Sequence, residues 1–135
     1  MRRNLALGLT GGVLYYLAEC LWRGHSHPSM LLCGGACFVL IGGLNEWLPW
    51  EMPLLLQMLL GAAIVTALEL LTGCVVNLWL GWAVWDYSNE WGNLWGQVCP
   101  RFSALWFLVS GGVIPLDDWL RWRWYGEERP RYRLW

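Results

Sequence analysis

The chain has 135 residues, of which 57% are hydrophobic and 14% are charged, and its formal net charge is −1. An average soluble domain carries roughly a quarter charged residues, so this composition excludes an ordinary soluble protein and favours one membrane domain covering residues 1–135. The sequence has no lysine and therefore no GxxxxGK[ST] phosphate loop, which excludes a P-loop ATPase within this chain. We also expect no binding to nucleic acid.

The first apolar segment, residues 5–21, follows a short basic start and has no convincing small-x-small cleavage site. We therefore expect it to be retained as the first helix. Its length is at the short end of what crosses a bilayer. Gly8 and Gly12 form a small-xxx-small pair, which predicts that another helix packs closely against this one.

A charged pair lies near the end of this first segment. Glu19 and Arg23 are four residues apart, so their side chains can meet on one helix face. The pair is either an intrahelical ion pair at the interface or part of a functional polar site. His27, in the loop that follows, is expected to complete such a polar cluster.

The second apolar segment, residues 30–48, is rich in glycine, as membrane helices often are. Cys33 and Cys37 lie one helical turn apart, a spacing that suits a soft metal. Buried small hydrophobic side chains are the more common role of such cysteines, so we predict neither a metal site nor a cofactor. Asn45 falls near the end of the segment.

The third apolar segment, residues 53–71, contains Gln57 and Glu69. An ionisable side chain at this depth is costly to keep in a membrane, which makes Glu69 a candidate functional residue. It is expected to pair with a cation, to bind a coupling ion, or to stay protonated. Arg23 and His27 are the expected partners.

Residues 74–84 are apolar but too few to cross a bilayer as a helix. They are either a continuation of the third helix or a re-entrant segment buried in protein. Thr66, Glu69, Gly73 and Asn77 fall at helical spacing, so a continued helix would carry them in one stripe.

A polar stretch separates this segment from the last apolar one. Asp86 either caps a turn through its own side chain or orients a neighbouring site residue. Trp85 stands at the end of an apolar run, where tryptophan commonly lies at the headgroup level.

The fourth apolar segment, residues 102–116, ends at Pro115, and a basic, aromatic tail follows at residues 121–135. Four crossings would place nearly all arginines at the cytoplasmic face and only Arg23 and Arg101 outside, as the positive-inside rule prefers. The predicted fold is therefore all-α: a four-helix transmembrane bundle with a short re-entrant or extended helical segment after the third helix. Both termini are expected to be cytoplasmic, in the cell membrane.

Several polar side chains are expected to converge inside this bundle. The predicted inward-facing residues are Glu19, Arg23, His27, Asn45, Gln57, Glu69, Thr72, Asn77 and Asp86. The candidate substrate-binding or coupling residues are Glu19, Arg23, His27, Glu69, Thr72, Asn77, Asp86 and Tyr87.

Motifs along nearly the whole chain resemble the CmpB family of ABC-transporter permeases, also described as type IV ABC-transporter membrane proteins. The segments that carry the resemblance are Glu19-x-x-x-Arg23-Gly24 with His27-x-Ser29-Met30, Gly34-Gly35 with Ile41-Gly42, Glu69-x-x-Thr72-Gly73-x-x-x-Asn77, and Trp85-Asp86-Tyr87-Ser88 with Asn93-x-x-Gly96-Gln97. Pro28 departs from the family, which more often has Trp after this histidine. The resemblance implies transport together with a separate ATPase subunit.

Three functions remain open from the sequence. The first is a multi-pass transport protein whose short spans require a homo-oligomer or a larger partner, with Glu69 and Arg23 as the coupling or substrate-contacting charges. The second is an intramembrane enzyme acting on a lipid-like or small apolar substrate, with Glu69 or His27 as acid/base and Asp86 as its orienter. The third is a structural or accessory membrane protein. Membrane lipids are expected partners in each case.

Overall fold

A computed structural model describes residues 1–135, and it is helical without β-strands. The elements are α1 (Arg2–Arg23), α2 (Pro28–Gly42), a single turn α3 (Leu44–Trp47), α4 (Leu54–Gly73), a π-helix (Cys74–Trp79) and α5 (Pro100–Tyr125). Three stretches are long and apolar enough to cross a membrane: Arg2–Arg23, Pro28–Trp47 and Leu54–Trp79. The predicted all-α class is confirmed.

Residues 74–79 continue α4 as a π-helix, so the helix runs unbroken from Leu54 to Trp79. Of the two predicted alternatives for this segment, continuation of the third helix is right as far as Trp79. The remaining residues are irregular and largely exposed, because the chain turns at Gly81 and Ala83, both with positive φ. They do not form a buried re-entrant segment.

The last helix is longer than the sequence predicted. It runs through Pro115 to Tyr125 instead of ending near residue 116. A proline inside a helix removes one hydrogen bond and crowds the carbonyl four residues earlier, which here belongs to a glycine, Gly111. The helix continues because the turn after Pro115 is buried, with Asp117 and Asp118 both almost inaccessible.

The first two helices form an antiparallel pair that packs at backbone distance. A Cβ added to Gly12 would lie 2.3 Å from the carbonyl oxygen of Leu31, and one added to Gly35 would lie 2.6 Å from that of Gly8. Only glycine permits this approach, since real Cβ contacts are not so short. The close helix packing predicted from Gly8 and Gly12 is confirmed.

Both ends of the chain lie at one end of the bundle, here called the terminal end. Arg3 near the start of α1 forms an ion pair with Glu127, just after α5. The tail then folds back onto the start of α4, where the backbone N–H of Leu54 donates to Arg133 O at 2.7 Å. The opposite end carries the loop of residues 80–99 and is called the loop end. The predicted tail is therefore partly helical and packed, and its first arginine, Arg121, is only 3% exposed.

Candidate functional site

Glu69 lies on the inner face of α4 and is 3% exposed. Its carboxylate accepts two hydrogen bonds, from Tyr87 Oη to Oε1 and from Trp106 Nε1 to Oε2, each 3.0 Å long. The first donor comes from the loop-end loop and the second from α5. Glu69 therefore ties three parts of the chain together, but it forms no ion pair.

A cavity of about 280 Å³ lies beside Glu69, between α1, α2, α4 and α5. Its wall is almost entirely apolar, and Glu69 is the one carboxylate in it. The lining residues are Gly11, Leu14, Tyr15, Ala18, Met30, Cys33, Gly34, Cys37, Phe38, Ile41, Val65, Glu69, Trp106, Val109, Val113 and Leu116. The arrangement presents a single acidic group to an apolar guest.

Arg23 is not the partner of Glu69, contrary to the sequence-based expectation. Its Nη2 lies 3.2 Å from Glu19 Oε1, and its Nη1 donates to the carbonyl of Val84 at 3.2 Å. Glu19 is one helical turn earlier on α1, so this local pair forms without rearranging other helices. The predicted intrahelical ion pair is the arrangement found.

A chain of side chains nevertheless links this ion pair to the cavity. Tyr15 lines the cavity and places its hydroxyl 3.4 Å from Glu19 Oε1. The ring of Tyr15 lies 6.0 Å from that of Trp106, which in turn donates to Glu69. The polar group at the end of α1 thus reaches the cavity through Tyr15, which lines it together with Glu69 and Trp106.

His27 does not contact Glu69 either. It is the N-cap of α2, where its Nδ1 accepts from the backbone N–H of Ser29 at 3.2 Å and lies 2.8 Å from Ser29 Oγ. Pro28 occupies the first turn of α2, where its missing N–H has no cost. The His27 ring packs 5.2 Å from Trp82, so its role in this structure is to cap a helix beneath the loop.

Thr72 and Asn77 both face protein, at different places. The Thr72 hydroxyl is 3.4 Å from the Cys33 sulfur, on the α2 side. Asn77 donates to Gln97 Oε1 at 2.8 Å and accepts from the backbone N–H of Val84 at 2.7 Å. Asn77 therefore fixes both arms of the loop to the π-helix, a helix type that is rare and often found at functional sites.

Asp86 and Tyr87 are neighbours that point to opposite sides. Asp86 is exposed and accepts from the backbone N–H of Ser88 at 2.8 Å and from the Ser88 hydroxyl. These bonds hold the pKa of the Asp86 carboxyl below its ordinary value. The expectation that Asp86 faces inward is wrong, because its carboxylate caps a turn, as the alternative predicted. Tyr87 enters the bundle instead, where burial raises the pKa of its phenol and keeps the hydroxyl a donor.

Trp85 is also buried within the protein. It is 7% exposed, and its indole N–H donates to the carbonyl of Gln97 at 2.9 Å. The loop is thus folded around the buried Trp85 and the half-buried Tyr87, whose hydroxyl contacts Glu69.

Sequence reasoning did not identify Trp106 as a partner of Glu69. Trp106 lies within an apolar segment and not at one of its ends, a position that predicts a buried indole. A buried indole N–H requires an acceptor, and this requirement was the available signal for a polar partner. Gln97 was likewise named only as part of a family motif, although it is 3% exposed and joins the loop to Asn77.

Asn45 and Gln57 are buried as predicted, but both lie toward the terminal end and do not join Glu69. Asn45 Nδ2 donates to Asp118 Oδ2 at 2.6 Å, and Gln57 Nε2 donates to the carbonyl of Met52 at 3.1 Å. The inward-facing polar residues therefore form two groups at opposite ends of the bundle, where one was expected.

Comparison with known proteins identifies the family of this chain. The protein-family model ABC_trans_CmpB, described as "Putative ABC-transporter type IV", matches residues 14–116, which include α2, α4, the loop and most of α5. No curated protein matches the chain. No solved structure matches it. Because the family model covers most of the sequence, this chain belongs to the ABC-transporter type IV family of membrane proteins.

Proposed function

We propose that this chain is a membrane transport protein whose substrate site is the apolar cavity beside Glu69. One observation carries the proposal: a carboxylate that is 3% exposed lies in the wall of an apolar cavity without a cation to pair with. An ionisable group at membrane depth is costly, and such groups commonly mark a substrate or ion pathway.

The cavity's chemistry indicates what it would take. A guest of this cavity would be apolar over most of its surface. It would carry one hydrogen-bond donor or one positive charge toward Glu69, because a carboxylate only accepts hydrogen bonds. Tyr15 lines this volume, and Glu19 and Arg23 would act on it through Tyr15. Thr72 would act through Cys33, a lining residue that its hydroxyl contacts.

In this proposal Tyr87 and Asn77 hold the loop of residues 80–99 against the bundle. Tyr87 donates to Glu69, so a substrate that competes for the same oxygen would weaken the hold of the loop. Asn77 fixes the base of the loop to α4. His27 and Asp86 stabilise turns at the loop end and would influence transport only through the loop's conformation.

The distribution of arginines along the chain supports the membrane orientation that we propose. Four crossings, with α5 as the fourth, would put both termini in the cytoplasm and Arg23 and Arg101 outside. Family membership supports a separate ATPase subunit, since this chain has no phosphate loop. A bundle of this size encloses little volume by itself, so we propose that it works as a homo-oligomer or with that subunit in the cell membrane.

The alternatives receive less support from the geometry. In the enzyme hypothesis Asp86 orients Glu69, but Asp86 is exposed and bonded to Ser88. In the structural hypothesis every inner charge is paired, whereas Glu69 is not.

Transport can be tested in proteoliposomes with a set of small lipophilic amines, alcohols and hydrocarbons, with and without the ATPase subunit. We expect saturable flux of at least one amine or alcohol, and a loss of about tenfold or more in Glu69→Gln, as for removal of a charge-assisted hydrogen bond. Glu51→Gln, which neutralises an exposed carboxylate in the loop before α4, is the matched control. Flux that is equal in wild type, Glu69→Gln and empty vesicles for every solute would refute the proposal.

A further inference from the structure

A second polar cavity, of about 330 Å³, lies at the terminal end and takes no part in the proposed transport site. It lies between the start of α1, α3 with the loop after it, the last turns of α5 and the residues just after α5. Six charged residues line it, Arg3, Glu46, Asp118, Arg121, Glu127 and Glu128, together with Asn45 and Trp50.

The charges in this cavity do not balance. Arg3 is paired with Glu127 and Glu46, the latter at 3.4 Å. Arg121 is paired with the fully buried Asp117. Both cations are therefore already engaged.

Two carboxylates in the cavity wall, those of Asp118 and Glu128, have no ion-pair partner. Asp118 is only 3% exposed, so its charge is poorly solvated. The cavity wall thus holds more carboxylates than cations, and one of these carboxylates is buried.

One buried oxygen atom in the wall also lacks a donor. Asn45 is 7% exposed, and its Oδ1 is buried without a hydrogen-bond partner. The Asn45 amide donates to Asp118 Oδ2, and Tyr132 Oη donates to that same oxygen at 2.6 Å, so Asp118 Oδ1 receives neither bond. A buried carbonyl oxygen without a donor is unfavourable by about 1–3 kcal/mol, which a ligand N–H would relieve.

These features favour an organic cation over a metal ion as the ligand of this cavity. The side chains present no group of three His, Cys, Asp or Glu arranged to hold a metal ion. An ammonium or guanidinium group offers several N–H donors spread over space, which suits acceptors on separate residues. Trp50 also lines the cavity, and the face of an indole ring attracts cations.

We propose that the terminal-end cavity binds an ammonium or guanidinium group, held by Asp118 and Asn45 against Trp50. The group belongs either to a small free cation or to a lysine or arginine side chain of a partner protein. The site is separate from the Glu69 cavity and shares no lining residue with it.

The test is calorimetric titration of the full chain in detergent at low salt, with n-butylammonium, n-butylguanidinium and the neutral isostere n-butylurea. We expect saturable binding of at least one cation, weakened by added salt because charge contributes. We expect no saturable binding of the urea. The proposal is overturned if neither cation saturates, or if the urea binds equally well.

Three variants assign the site. Asp118→Asn should weaken binding about tenfold or more, the loss typical of one charge-assisted hydrogen bond. Glu128→Gln removes an exposed carboxylate that forms no hydrogen bond or ion pair, so it should keep the fold and still weaken binding several-fold through lost attraction. The loss in Asp118→Asn should persist when both compared proteins also carry Glu69→Gln, which separates this site from the Glu69 cavity, where amines are proposed to bind as well. Unchanged affinity in both Asp118→Asn and Glu128→Gln would overturn the assignment.

A final titration distinguishes the two sources of the cation. A short peptide with one internal arginine is compared with n-butylguanidinium. Tighter binding of the peptide would support a partner's side chain, since the peptide backbone adds contacts at the rim. Tighter binding of the small cation would support a free solute. Both results uphold the organic-cation site.

Discussion

The hydroxyl of Tyr87 donates to Glu69 Oε1 at 3.0 Å, which fastens the loop between the π-helix and α5 to the middle of the bundle. The Tyr87 ring is stacked on Phe102, with centroids 4.5 Å apart and planes 7° from parallel. The hydroxyl and the ring of Tyr87 therefore each contribute to holding the loop, and a substitution can remove the hydroxyl while keeping the ring.

Tyr87→Phe should keep the stacked ring and lose the bond to Glu69. A hydrogen bond to a charged group contributes about 1.5–3 kcal/mol, so we expect a lower Tm in detergent and faster proteolysis within residues 80–99. Tyr16→Phe is the control, since Tyr16 is half-buried and its hydroxyl makes no hydrogen bond. Equal cleavage rates in Tyr87→Phe and wild type would show that the loop is not held by this bond.

Gly42→Ala should destabilise the contact between α2 and α5. The added Cβ would lie 2.1 Å from Asp117 Cγ, and Asp117 is fully buried and paired with Arg121, so it cannot move aside freely. Overpacking of this kind costs about 1–3 kcal/mol.

The same substitution at Gly112 provides the control for Gly42→Ala. A Cβ there meets nothing within 4 Å, and the residue is helical. Alanine in a helix is favoured over glycine by about 0.5–1 kcal/mol, so Gly112→Ala should be neutral or stabilising. The free energy of unfolding in mixed micelles should therefore fall in Gly42→Ala and stay the same or rise in Gly112→Ala. A fall in both variants would contradict the packing argument.

Asp86→Ala should open the turn at the loop end without affecting the helices. The Asp86 carboxyl has a pKa below its ordinary value of 3.8, chiefly because it accepts from the Ser88 hydroxyl and backbone N–H. A lowered folded pKa means that the stabilisation is complete above the ordinary value and is lost as the pH falls through the lowered one.

Amide exchange at Ser88 measures this turn. We expect protection in wild type from neutral pH down to the ordinary carboxyl pKa, then a decline under stronger acid. Asp86→Asn, which keeps an acceptor oxygen but cannot titrate over this range, should show no such decline. Protection that is lost near neutral pH in wild type would contradict the assigned direction of the shift.

Deletion of residues 133–135 should loosen the start of α4. The first N–H groups of a helix have no partner within it, and here those of Leu54 and Leu55 donate to the carbonyls of Arg133 and Leu134 at 2.7 and 3.3 Å. We expect faster amide exchange at Leu54 and Leu55 in the truncated chain. Replacing Leu134 and Trp135 by alanine keeps the backbone carbonyls and should preserve protection; equal exchange in all three proteins would exclude this capping role.

The sequence alone determined the local features of this protein. Apolar runs of sufficient length predicted the helices, because helix formation and membrane burial depend on the residues within one segment. Gly8 and Gly12 predicted close packing, since the absence of a side chain is a property of the residue itself. The Glu19–Arg23 ion pair was predictable for the same reason, because its spacing is one turn of a single helix.

The tertiary structure decided everything that depends on contacts between segments. Only the fold brings Tyr87 and Trp106 to Glu69 and buries Asp117 and Asp118 beyond the proline where the last helix was expected to end. Two residues far apart in sequence meet according to how helices pack, and spacing along the chain does not encode that arrangement. The burial of Asn45, Gln57 and Glu69 was therefore predictable, but the exposure of Asp86 and the division of the polar residues between two ends of the bundle were not.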